Sequence, residues 1–264
     1  MKKAKILPYI ILFVACLYLV LPLAVTVIYS FVTGWTEILP DGFTIKYYLQ
    51  LFDDRRFWPS MFRGIIISII PILISSTVVI LALYTSILYC PKLDRLIQGI
   101  CMLPNILKGI VLAIPGLSLY AGSDSFLGNR IVMLTFVYCI VILPFVYQGI
   151  RNNLRAVNVV QLIEAAQMLG AGKLYAFIKV VVPNMLSGIM VSSLLSMSAI
   201  FGDFAIVKII AGSKYITAQQ LLYNSKNLLL QYQSAIVSIM FVSTLLISGA
   251  AFAYQNYKTK KDMQ

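Results

Sequence analysis

Long runs of uncharged residues dominate this sequence. Five runs contain no Asp, Glu, Lys or Arg, and they cover residues 6–33, 64–90, 131–150, 180–202 and 227–257. A sixth run, from about residue 96 to residue 122, is interrupted only by Lys108. A helix needs about 20 apolar residues to cross a hydrocarbon core of about 30 Å, so each run is long enough to span a bilayer.

These runs are predicted to be helices because lipid offers the backbone no hydrogen-bond partner, and the strands of a barrel would be shorter and would alternate. We therefore predict an all-α integral membrane protein with six transmembrane helices, in which residues 1–264 form a single domain. The composition agrees, because 60% of the residues are hydrophobic and 11% are charged, whereas soluble domains carry about 25% charged residues.

Lys and Arg beside the spans set the expected orientation, since they concentrate on the cytoplasmic side. If the N-terminus is cytoplasmic, twelve of the 21 basic residues lie inside. They are Lys2, Lys3, Lys5, Lys92, Arg95, Arg151, Arg155, Lys173, Lys179, Lys258, Lys260 and Lys261. We predict that both termini are cytoplasmic. Topology and anionic lipid headgroups then account for the net charge of +12, and no nucleic-acid partner is expected.

The residues needed for catalysis are scarce. The chain has no histidine, which excludes His-based acid–base chemistry and His metal sites. Its four cysteines lack C-x-x-C spacing, and its nine acidic residues are scattered, with only Asp53 and Asp54 adjacent. We therefore expect no catalytic residue and no metal site.

The segment from about residue 151 to residue 182 is the longest predicted cytoplasmic connection, and its pattern indicates two short helices. Asn158 can cap the first, over residues 159–169, with Gln161 in the reciprocal capping place. Gly170 and Gly172 are expected to end it, and Pro183 stands where the fifth membrane helix should start. Three apolar residues fall on one face of the first helix, namely Val159, Ile163 and Ala166.

The same segment contains, in order, Glu164, Ala165, Ala166, Gly170, Ala171, Phe177, Pro183, Gly188 and Ile189. This series resembles the Glu-Ala-Ala loop of the membrane subunits of binding-protein-dependent ATP-binding cassette importers. Residues 42–44, 48 and 51–52 are similar to the first external loop of these permeases, and residues 103–104 and 109–111 to their third helix. The chain departs from many relatives at Arg63-Gly64, at Lys108 and at Val182.

The resemblance implies that residues 1–264 are one permease domain of a bacterial-type cytoplasmic membrane. A short coupling helix between the fourth and fifth spans would dock into a groove of a separate ATPase. Glu164 and Gly170 would be the coupling positions, Ala165, Ala166 and Ala171 would allow close packing, and Pro183 would complete the motif. The implied partners are two ATP-binding subunits, a second similar or identical permease and an extracytoplasmic solute-binding protein.

ATP and Mg are expected on the partner ATPase, and no cofactor is expected on this chain. A phosphate-binding loop reads Gly-x-x-x-x-Gly-Lys-Ser/Thr. Its nearest counterpart here fails, because Gln167 occupies the first glycine position and Leu174 the hydroxyl position.

Charged side chains within spans are costly and are therefore candidates for the solute path. They are Lys108, Asp203 and Lys208. Asp203 could attract a cationic solute, or it could pair with Lys208 or lie at the headgroups. Lys108 could contact solute, pack against a partner subunit or pair with Asp203.

The solute class rests on resemblance alone. Pro104-Asn105, Asp203-Phe204 and residues 211–213 look most like polyamine importers, with phosphonate and ferric-ion importers next. A secondary transporter driven by an ion gradient is an alternative class, although such proteins are usually larger and built from paired repeats.

Overall fold

A computed structural model describes residues 6–35, 40, 42–107, 109–120, 122, 126–226 and 228–262. Within these residues the chain forms the α-helices α1 (Ile6–Ser30), α2 (Lys46–Asp53), α3 (Phe57–Leu88), α4 (Leu93–Met102), α5 (Gly109–Tyr120), α6 (Arg130–Ala156), α7 (Val159–Met168), α8 (Lys173–Ala176), α9 (Val182–Asn184), α10 (Leu186–Phe201), α11 (Ala205–Ile210), α12 (Ala218–Asn224) and α13 (Leu230–Asp262). Single 3-10 turns at Leu103–Asn105 and Phe126–Gly128 and a π-helical turn at Phe177–Val181 complete the helical structure.

The predicted spans appear in two forms. Within the described part of the chain, four continuous helices are long and apolar enough to cross a membrane, namely Tyr9–Ser30, Phe57–Leu88, Arg130–Arg155 and Leu230–Ala250. Two bent helix pairs are further candidate spans: Leu93–Asn105 meets Gly109–Tyr120 at 90°, and Lys173–Asn184 meets Leu186–Phe201 at 65°. Counting each pair as one span gives six, so the all-α membrane fold is confirmed.

Prolines occur both within continuous helices and beside the breaks. Pro22, Pro71, Pro115 and Pro144 lie inside helices that continue past them. Lipid-embedded helices tolerate proline because neighbouring groups bond the freed carbonyls. Pro104, by contrast, lies in the 3-10 turn that follows α4.

The chain divides into two compact units. The first comprises Met1–Ser60 with Leu221–Leu246, and the second comprises Met61–Gln220 with Ile247–Gln264. In the first unit, Ser30 at the end of α1 is within 2.6 Å of the Tyr48 hydroxyl of α2, and the rings of Phe31 and Tyr48 stack at 4.8 Å. These contacts fasten α2 to the end of the first span.

In the second unit, α6 and α10 cross at close range through two glycines. A Cβ added to Gly188 would lie 2.6 Å from the carbonyl oxygen of Gly149 and would overlap the side chain of Asn153. Ser187 Oγ donates to Asn153 Oδ1 at 2.9 Å, and Asn153 Nδ2 donates to the Gly149 carbonyl at 3.2 Å. Small residues and interhelical hydrogen bonds are the features that hold membrane helices together, so this crossing joins the fourth and fifth spans.

Candidate functional site

The predicted coupling segment begins where α6 ends. Asn158 precedes α7, and its carbonyl oxygen accepts the Leu162 N–H at 3.1 Å, as expected of a helix-capping residue. Its side chain, however, makes no capping hydrogen bond, so the predicted reciprocal capping with Gln161 is wrong. The backbone of Asn158 lies at φ −78° and ψ 83°, away from the extended conformation from which a cap side chain reaches the next turn.

The two faces of α7 have different surroundings. Val159 and Ile163 are buried and Ala166 is half-buried, and all three pack against the core that also contains Phe177 and Val181. The predicted apolar face is therefore confirmed. The opposite surface, which we call the outer face, is a shallow depression lined by Gln161, Glu164, Ala165, Gln167 and Met168.

Gly170 ends α7 in the way that the sequence predicts. Its φ is +84°, which favours glycine because it has no Cβ. The Ala171 N–H donates to the Ala166 carbonyl at 3.0 Å and the Gly170 N–H donates to the Gln167 carbonyl at 2.9 Å, which is the Schellman pattern. Met168 and Leu169, just before this turn, are 90% and 89% exposed. The turn thus presents an apolar tip while Ala171 packs against the chain's own core.

The segment after the turn is packed against the end of α3. The Phe177 side chain is 1% exposed, and its ring centroid lies 4.9 Å from that of Tyr84. Lys173 Nζ lies 5.7 Å from the centre of the Tyr89 ring, within range of a cation–π interaction. The segment after the turn is therefore in direct side-chain contact with the end of α3.

Between α8 and α10 the helix changes its hydrogen-bond repeat. The Val182 N–H donates to the Phe177 carbonyl, five residues back, which is the π-helical pattern. Pro183 follows and has no N–H to continue the ladder. The prediction that the membrane helix starts at Pro183 is therefore wrong: Pro183 lies in the short helix α9, and α10 begins at Leu186 after a 65° bend.

Asp203, a predicted solute-path residue, lies at the other end of α10. A 16-residue helix is about 24 Å long, so this site is well separated from α7. Asp203 Oδ2 accepts a hydrogen bond from the Tyr138 hydroxyl at 2.8 Å and another from the Ile206 N–H at 3.0 Å. The carboxylate therefore fastens α6 to the start of α11.

The structure describes one of the other two candidates. Lys208 is on α11 with an exposed side chain, and its N–H donates to the Phe204 carbonyl at 2.9 Å. Lys108 lies outside the described residues. The roles predicted for Lys108, namely solute contact, packing against a partner subunit or pairing with Asp203, therefore remain predictions.

Sequence reasoning did not identify Tyr138, Met168 or Leu169. No local pattern could reveal Tyr138, because its partner Asp203 is 65 positions away. Met168 and Leu169 did carry a signal, since two large apolar residues precede a glycine turn and lie off the face formed by Val159 and Ile163.

Comparison with known proteins agrees with this architecture. The family described as "Binding-protein-dependent transport system inner membrane component" matches residues 78–261. No curated protein sequence matches the chain. A solved structure titled "Crystal structure of a bacterial ABC transporter involved in the import of the acidic polysaccharide alginate" aligns with a TM-score of 0.65 and 16% identity, covering 97% of this chain and 95% of that one. At this identity the likeness shows the fold alone.

Proposed function

The chain belongs to the family of inner membrane components of binding-protein-dependent transport systems, and from this premise we propose that it moves a small polar solute through the membrane as the permease subunit of an ATP-binding cassette importer. Residues 1–264 act as one permease domain. The observation that carries the proposal is the difference between the two faces of α7. The inner face is packed into the core, whereas the outer face and the tip at Met168 and Leu169 are exposed.

In this function α7 is the coupling helix. Glu164 and Ala165 lie on the outer face, where a groove of a separate ATPase would receive them. Gly170 fixes the turn, while Ala166 and Ala171 hold the segment to its own core. A short helix supported in this way transmits a rigid-body movement that a loose loop would absorb. Pro183 interrupts the ladder before α10, where that movement enters the fifth span.

The proposed assembly contains two ATP-binding subunits, a second permease and an extracytoplasmic solute-binding protein. ATP and Mg bind the ATPase subunits, and this chain supplies no catalytic residue and binds no cofactor. We place it in a bacterial-type cytoplasmic membrane with both termini in the cytoplasm, following the distribution of Lys and Arg.

The solute that we propose is a polyamine. The support is the resemblance of residues 104–105, 203–204 and 211–213 to polyamine permeases, together with a carboxylate at Asp203 beside the fifth span. Phosphonate and ferric ion are the competing solutes. Lys208 is retained as a candidate for the solute path, and so is Lys108.

Reversing the charge of Glu164 tests the coupling role. Glu164 is exposed, so we expect Glu164→Lys to insert and fold normally but to lose both co-purification of the ATPase and solute uptake. Asn152→Lys is the control, because Asn152 is exposed near the end of α6 and outside α7. Uptake at the wild-type rate in Glu164→Lys would contradict the coupling assignment.

A reconstituted assembly tests the solute. Liposomes containing the permease, its ATPase and its binding protein should hydrolyse ATP faster with spermidine or putrescine than with phosphonate, ferric ion or an acidic oligosaccharide. Stimulation by one of the other solutes would contradict the polyamine assignment and would leave the importer assignment intact. Uptake that persists without the ATPase would instead favour a gradient-driven transporter.

A further inference from the structure

A second cavity lies beside the coupling segment and is separate from the outer face of α7. It has a volume of about 400 Å³ and lies between the ends of α3 and α6 and the start of α7. Its basic residues are Arg151 and Arg155, and its apolar wall is formed by Ile87, Leu154 and Val157. The proposed function uses none of these side chains.

The position of this cavity corresponds to the edge of the hydrocarbon core. Ile87 is the penultimate residue of the span Phe57–Leu88, and Arg155 is the last residue of the span Arg130–Arg155. Two spans therefore end at the cavity, which puts its basic residues at the depth of lipid headgroups. Long basic side chains at helix ends commonly reach this interface.

The two arginines lie on one face of α6 because they are four residues apart. Arg151 donates through Nη2 to Asp94 of α4, but its Nε is buried without a hydrogen-bond partner among the described residues. No carboxylate lies within ion-pair distance of Arg155 in the part of the chain that the structure describes. Two guanidinium groups thus line the cavity, and only that of Arg151 is paired with a carboxylate among the described residues; Arg151 also retains an unused, buried donor.

Guanidinium groups bind phosphate oxygens through charge-assisted hydrogen bonds, and basic pockets between membrane helices bind anionic lipid headgroups. We propose that this cavity is a binding site for an anionic phospholipid. The phosphate lies against Arg151 and Arg155, and the glycerol and first acyl carbons lie against Ile87, Leu154 and Val157. The apolar wall favours a lipid over an acidic protein segment, because half of the lining would give such a segment no polar partner.

The bound lipid would also contact the junction that carries the coupling segment. Val157 and Asn158 line the cavity and connect the end of α6 to the start of α7. The side-chain amide of Asn158 makes no capping hydrogen bond, so it can form a hydrogen bond with the lipid headgroup. Lipid occupancy would restrict this connection from the membrane side while the ATPase acts on the outer face.

Native mass spectrometry of the full chain, purified with its associated subunits, tests the site directly. The probe is a mixture of phosphatidylglycerol and phosphatidylcholine at equal concentration. We expect the wild type to retain phosphatidylglycerol preferentially and Arg155→Gln to lower its retention roughly tenfold, since one charge-assisted contact is removed. Arg95→Gln is the matched control, because Arg95 is an exposed arginine of α4 that does not line the cavity.

A photoactivatable phosphatidylglycerol locates the lipid without any substitution. Crosslinking to the peptide that contains residues 151–159 supports the site. Equal loss of phosphatidylglycerol in Arg95→Gln, or crosslinks confined to other peptides, would overturn it. Displacement of the lipid by inorganic phosphate alone would identify a free-anion site, and weaker binding of the ATPase to lipid-free Arg155→Gln would identify a protein contact; each would overturn the lipid assignment. Lipid retention is measured without transport, so this result is independent of the importer assignment.

Discussion

The Tyr138 hydroxyl of α6 donates a 2.8 Å hydrogen bond to the Asp203 carboxylate, which also accepts the Ile206 N–H of α11. One carboxylate thereby joins the fourth span to the region in which the fifth span ends. The Tyr138 side chain is 1% exposed, so the bond is shielded on the tyrosine side. A structural role and a solute-binding role for Asp203 predict different experimental results.

If Asp203 is structural, Tyr138→Phe and Asp203→Asn should both lower thermal stability in detergent. Removing one partner of a buried hydrogen bond to a charged group costs about 1.5–3 kcal/mol. Because the two residues share this bond, the double variant should be less destabilised than the sum of the single variants. A normal melting temperature with lost polyamine uptake in Asp203→Asn would instead assign the carboxylate to the solute path.

The glycine crossing of α6 and α10 should not tolerate a methyl group. In Gly188→Ala the added Cβ would meet the Gly149 carbonyl oxygen, which is backbone and moves only if the helices separate. We expect overpacking to cost about 1–3 kcal/mol and to lower the yield of folded protein. Gly99→Ala in α4 is the control, because no atom lies within 4 Å of its added Cβ. Size-exclusion profiles and melting curves of both variants provide the measurement.

Substitution of the two glycines in the turn after α7 should have different effects. Gly170→Ala forces a residue with a Cβ into φ +84°, at a cost of about 1–2 kcal/mol, whereas Gly172 has an ordinary φ of −69°. We expect faster hydrogen exchange at the Ala171 amide and lower transport-coupled ATPase activity in Gly170→Ala. Gly172→Ala should match the wild type in both assays. Equal effects of the two substitutions would show that the left-handed conformation is not what matters.

The loop between α2 and α3 should lose stability in acid. Hydrogen bonds from the Arg56 side chain lower the pKa of Asp54, whose carboxylate also accepts the Tyr232 hydroxyl at 3.4 Å. Because the folded-state pKa is depressed, this contribution is present above the unfolded pKa of about 3.9 and is lost as pH falls through the lower folded value. Asp54→Asn should therefore reduce the dependence of the melting temperature on pH below about 4. Asp53→Asn removes an exposed neighbouring carboxylate and controls for net charge.

Features set by local chemistry could be predicted from the sequence. The uncharged runs identify the spans, since lipid permits few alternatives to a helix. The spacing of Val159, Ile163 and Ala166 identifies the inner face of α7, and Gly170 identifies its end because few other residues adopt a positive φ.

Features that depend on distant partners could not be predicted. The fifth span was expected to begin at Pro183, whereas Pro183 lies in the short helix α9, and α10 begins at Leu186 after the π-helical turn and a 65° bend. Asn158 occupies the capping position without forming the bond, since its backbone lies at φ −78° and ψ 83° and is not extended. Tyr138 is one of several tyrosines in apolar runs, and only the folded chain selects it as the partner of Asp203.

The π-helical turn at Phe177–Val181 sets the direction in which α7 and α8 face around the axis of the helix that follows. Each residue of an α-helix advances the direction of its side chains by about 100°, and a π turn accommodates one more residue than an α turn. Everything before this turn is therefore rotated relative to the arrangement that an uninterrupted helix would give. Deleting one residue here would leave hydropathy and helix content almost unchanged, yet it would aim the outer face of α7 in a different direction.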